Sequence, residues 1–128
     1  MTADGTTLRL ELAPDPRLLR VLRLVASGVA SLGAFDVAAV EEVRVAVDEL
    51  GATLIGASTG GPIEFTFELV GDTLCVEGRT DAGGAEPEVD PLTVRILDVV
   101  ATSHEWGSVE GKARGRIEKA GSAAVGAA

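Results

Sequence analysis

From Thr6 to Leu12 the chain alternates apolar and polar residues, placing Leu8, Leu10 and Leu12 on one face and predicting a half-buried strand. Pro14, Asp15 and Pro16 interrupt it. Asp15 is a suitable N-cap and Pro16 a suitable first helical residue, so a helix is predicted from Pro16 to about Leu32, with Leu18, Leu22, Val25, Val29 and Leu32 as its apolar stripe. Gly33 ends it. Asp36 can cap a second helix, whose stripe is Val40, Val43, Val47, Leu50 and Leu54, and the run Ser58, Thr59, Gly60, Gly61, Pro62 terminates it.

The second half of the chain changes period. Ile63 to Val70 and Thr73 to Arg79 read as strands joined through Gly71 and Asp72, a connection short enough for an antiparallel hairpin. Asp81 to Asp90 has no apolar period and reads as a loop. It leads into a helix from Pro91 to about Ala101, with Leu92, Ile96 and Val99 as the expected inner face. Ser103 to Val109 and Ala113 to Lys119 follow as strands around the turn at Glu110 to Lys112. The order β, α, α, β, β, α, β, β predicts a two-layer α/β sandwich: a mostly antiparallel sheet covered on one face by three helices.

Composition narrows the functions open to this fold. The 128 residues are 46% hydrophobic, enough for one continuous core. The expected organisation is a single domain over residues 1–119, with residues 120–128, made only of Ala, Gly, Ser and Val, as a flexible tail. Twenty acidic against 11 basic residues give a formal charge of −9, which repels phosphate backbones and anionic lipid and argues against nucleic-acid partners. Met1 to Gly5 lacks the basic start and apolar stretch of a signal peptide, and no apolar run is long enough to span a bilayer. A cytoplasmic location without membrane attachment is expected. Cys75 has no partner for an internal disulfide, and no zinc-ligand spacing occurs.

Few residues suggest chemistry by themselves. His104, the sole histidine, has no nucleophile motif beside it and reads as a strand-edge side chain. Arg44 and Asp48 read as a surface pair one helical turn apart. Glu49 and Thr53 are likewise four residues apart on one helical face, together with Glu42, Ala46 and Gly56.

The segment Val37 to Ser58, VAAVEEVRVAVDELGATLIGAS, with the Arg-rich helix before it, resembles the first two helices of the GHKL-type ATPase domain in anti-sigma-factor serine kinases. That resemblance implies a Bergerat fold, magnesium-ATP as cofactor, and a sigma factor and an anti-anti-sigma antagonist as partners. It assigns Glu49 the role of orienting the attacking group and Thr53 the place of the family's magnesium-binding Asn. Asp81, with Gly83 and Gly84 in TDAGG, resembles the start of the motif that reads adenine.

Departures from the family pattern redirect the expected function. Thr53 offers a shorter, weaker ligand than an Asn amide, and Glu86, Pro87, Glu88, Val89, Asp90 and Pro91 stand where the family's Gly-rich lid cradles phosphate. The expectation is a degenerate member that binds magnesium-ATP weakly or not at all and regulates by protein binding. The alternative is an active serine kinase with Glu49 as base or orienter, Thr53 on magnesium and Asp81 on adenine. Homodimerisation through the helices is a further reading.

Overall fold

The computed structural model describes residues 5–121. The expected polar start and most of the expected tail therefore lie outside the described residues, although the last strand runs through Ala120, one residue into that tail. Among the described residues the elements are β1 (Gly5–Leu12), α1 (Leu19–Ala30), α2 (Val37–Ala57), β2 (Ile63–Val70), β3 (Thr73–Asp81), α3 (Pro91–Val100), β4 (Ser103–Val109) and β5 (Lys112–Ala120). The strands form one open antiparallel sheet in the order β1-β2-β3-β5-β4, covered on one face by the three helices. This is the two-layer architecture that the periodicity predicts.

Local chemistry explains the boundaries. Asp15 accepts from the backbone N–H of Arg17 at 2.9 Å, but the first turn, Pro16–Leu18, is 3-10 rather than α-helical. Asp36 caps α2 by accepting from Ala39 N–H at 2.8 Å. Beyond α2, the Ser58 hydroxyl donates to Gly61 O and accepts from Gly60 N–H, folding the chain away from the helix axis.

The core lies between the layers. Leu22, Val43, Val47, Leu50 and Leu54 from the helices meet Phe65, Phe67, Val76 and Ile117 from the sheet, all buried. Val25 is half-buried against this cluster. Two glycines let α2 settle onto the strands: a Cβ at Gly115 would lie 2.7 Å from Leu50 Cδ1 and 2.6 Å from Trp106, and one at Gly78 would collide with Leu54. Trp106 packs half-buried against the core, on the helical side of β4.

Three expectations are corrected. The inner face of α3 is Thr93 and Leu97, not Leu92, Ile96 and Val99; Leu92 is 62% and Val99 76% exposed, and Ile96 is only half-buried. This helix is apolar at Leu92, Val94, Ile96, Leu97, Val99 and Val100, so more than one stripe satisfies the 3.6 period. Leu32, placed on the α1 stripe, is 68% exposed because the helix ends at Ala30. Asp48 pairs with Arg23 across the α1–α2 contact, while Arg44 pairs with Glu41 at 3.0 Å, so the Arg44–Asp48 pair does not form.

Candidate functional site

A cavity of about 500 Å³ lies beside the C-terminal half of α2, where the loop after β3 returns to start α3. Its floor is made of small residues, Ala52, Gly56 and Ala57 from α2 with Ala82 and Ala85 from the loop. Thr53 and Thr93 supply hydroxyls, and Glu86, Glu88 and Asp90 supply carboxylates. No lysine or arginine lines it.

Glu49 sits one turn below Thr53 on α2 and is half-buried. Its Oε1 accepts a hydrogen bond from Thr93 Oγ1 at 2.8 Å, a bond between helices whose members are 44 residues apart. Thr93 is 8% exposed, so this donor is committed to the carboxylate and tied into the helix contact. Sequence reasoning missed Thr93. Its one signal was a hydroxyl four residues before Leu97, on the same helical face.

The residues expected to gather around a nucleotide are brought together only in part. Thr53 lines the cavity and Glu49 adjoins it through Thr93. Asp81, Gly83 and Gly84 do not line it. The Asp81 carboxylate turns back onto its own loop, where Oδ1 accepts from Gly83 N–H at 3.2 Å, and its carbonyl accepts from Thr59 N–H at 3.0 Å and Thr59 Oγ1 at 3.1 Å. These bonds tie the loop to the end of α2, and Gly83 and Gly84 carry positive φ in the turn. Two other residues expected on this face lie elsewhere: Ala46 is in the core, and Glu42 accepts from Lys119 Nζ at 2.8 Å.

These residues do not fit a magnesium triphosphate. Near a protein surface, two like charges 4 Å apart repel by about 4 kcal/mol, and the cavity presents carboxylates without a compensating cation. The N-terminus of α3, where an anion would find free N–H groups, is capped by Asp90, which accepts from Leu92 N–H at 2.7 Å; Pro91 has no N–H to give. Among the described residues no three or more His, Cys, Asp or Glu side chains gather at metal-binding range. Nor is any described helix long and apolar enough to cross a membrane.

Other polar clusters are structural. His104 Nδ1 accepts from Trp106 Nε1 at 3.1 Å, which leaves Nε2 to donate to Asp98 at 2.8 Å. This chain of bonds joins β4 to α3. On the uncovered sheet face a broad concavity of about 820 Å³ is lined by strand side chains including Arg9, Glu64, Glu77 and Arg79. There burial pushes the Cys75 thiol up, and Arg116 opposes that rise without cancelling it. Cys75 is thus a poor nucleophile. No family model matches the chain, and no curated protein matches it.

Proposed function

We propose that this chain is an anti-sigma-factor-like regulator of the GHKL type that acts by binding a sigma factor, its antagonist or both, in the cytoplasm and without using ATP. The observation that carries this reading is the cavity beside α2. The two-layer fold and the place of Thr53 on the cavity, with Glu49 adjoining it through Thr93, support descent from a nucleotide binder, while the acidic phosphate end and Asp90 at the helix N-terminus support loss of the nucleotide. Two opposing effects of about 1–3 kcal/mol each, one from Thr53 in place of an amide and one from the carboxylates, move a micromolar site towards millimolar. Protein binding needs none of those groups. The net charge of −9 suits a basic partner surface.

The test is a calorimetric titration of the chain with magnesium-ATP beside a serine-phosphorylation assay on candidate antagonists. No saturable heat at micromolar ATP and no phosphate transfer support the reading. Micromolar affinity with transfer to an antagonist serine establishes the kinase instead.

A further inference from the structure

α3 carries an apolar stripe that the rest of the chain does not cover. Leu92, Ile96 and Val99 recur at spacings of four and three, so they share one flank of the helix. Leu92 and Val99 are exposed and Ile96 is half-buried. Thr93 and Leu97 point inward, and Asp98, to one side of them, reaches His104 on β4. At about 100° per residue the stripe lies to the other side, towards α2.

α2 supplies the facing wall. Gly56 and Ala57, at the end of α2, share a cavity with Asp90 and Thr93, at the start of α3, and Thr93 bonds Glu49 further back, so the two helices run antiparallel. One turn before Glu49 and on its side of α2 stands Val45, 41% exposed, which comes level with Ile96. The groove between the helices is thus apolar at Val45, Ile96 and Val99. Its other end, at Ala52 and Leu92, opens on the cavity of about 500 Å³. There Glu86 and Glu88 make no ion pair among the described residues. Arg95 stands on the solvent side of the stripe and does not line the cavity.

We propose that this groove docks an amphipathic helix of a partner protein, with the partner's apolar ridge on Val45, Leu92, Ile96 and Val99 and a lysine or arginine at one end of that helix entering the acidic cavity. The assignment rests on the chain being a protein-binding regulator and supplies the surface used. α3 has 10 residues, a length of about 15 Å, which a partner helix of about three turns spans with ridge residues at i, i+3 or i+4, and i+7. The small residues that floor the cavity leave room for a long aliphatic stem, and the carboxylates receive its charged head. The net charge of −9 draws in a basic helix and repels an acidic one.

Fluorescence anisotropy tests this with a labelled synthetic helix of about 14 leucine and lysine residues, beside the same peptide with glutamate for lysine. The lysine peptide should bind and the glutamate peptide should not. Leu92→Ser with Val99→Ser should weaken binding about tenfold or more, and Glu86→Gln with Glu88→Gln about fivefold or more with a flatter salt dependence. Leu24→Ser, at a side chain 66% exposed on α1, should change nothing. Thermal melts establish that each variant is folded. Without any substitution, amide shifts in a magnetic-resonance titration should concentrate at residues 45–53 and 86–99. No binding of the lysine peptide, equal binding of both peptides, an equal loss in Leu24→Ser, shifts centred on α1 or the uncovered sheet face, or self-association of the wild type through Leu92 and Val99 would each overturn the docking site. A sigma factor or antagonist that binds wild type and the Leu92→Ser, Val99→Ser variant equally would also overturn it while leaving the regulator reading intact; absence of any such partner would instead count against that reading.

Discussion

Thr93 Oγ1 donates to Glu49 Oε1 at 2.8 Å, so the first inward-facing residue of α3 holds the carboxylate that the family resemblance singles out on α2. Replacing Thr93 with Val keeps the shape and leaves a half-buried carboxylate without its donor. Losing a hydrogen bond to a charged group costs about 1.5–3 kcal/mol. Urea denaturation should show a loss of that order for Thr93→Val and near wild-type stability for Thr93→Ser. Equal losses in both variants would mean that packing, not the hydroxyl, matters at this position.

Gly115 faces Trp106 and Leu50 so closely that a methyl group has no room. Gly115→Ala should destabilise the fold by about 1–3 kcal/mol through overpacking. Trp106 is the sole tryptophan, so its emission should shift to the red as the ring is displaced. An unchanged spectrum and midpoint would contradict the packing described here.

Glu77 gives the fold an acid-sensitive component. Burial raises the pKa of its carboxyl, but hydrogen bonds from Arg79 at 2.6 Å and Arg114 at 2.9 Å outweigh burial and hold it below the usual glutamate range. Its folded pKa is lower than its unfolded one, so the unfolded chain binds more protons in the interval between them. The stabilisation is present above the unfolded value and is lost as pH falls through the folded one. Glu77→Gln should therefore be less stable than wild type at neutral pH, and the gap should narrow over the acid interval that runs downward from the usual glutamate range. A gap that stays constant across that interval would show that the carboxylate's charge is not what stabilises.

If the metal ligand and the acidic loop oppose nucleotide independently, restoring the ligand alone will rescue binding only in part. Thr53→Asn should improve ATP affinity about tenfold, and Thr53→Asn combined with Glu86→Gln and Glu88→Gln should improve it about a hundredfold or more. Equilibrium dialysis with labelled ATP measures both. Full rescue by Thr53→Asn alone would shift the cause from the loop to the helix.

The sheet and α2 were legible because their periods are unambiguous: Ile63, Phe65, Phe67 and Leu69 alternate strictly, and Val43, Val47, Leu50 and Leu54 allow one helical face. α3 was not, because apolar residues occupy both Leu92–Ile96 and Leu97–Val100, and only the tertiary contact with α2 chooses Thr93 and Leu97. The Asp48 partner was missed for the same reason; a residue one turn away satisfies a local rule, but Arg23 on α1 reaches it first. Of the candidate site, Thr53 follows directly from its place on α2. The turned-in Asp81 does not, since an Asp followed by two glycines serves a ligand or its own turn with equal ease. The alanines that floor the cavity carry no sequence signal at all.

The most direct measurement is calorimetric titration of the chain with sigma factors from the source cell, each repeated with and without magnesium-ATP. The expected result is that at least one sigma factor binds, with the same affinity in both conditions. A binding affinity that rises only when magnesium-ATP is present would contradict regulation without nucleotide, and no binding to any of them would contradict the assignment to sigma-factor control.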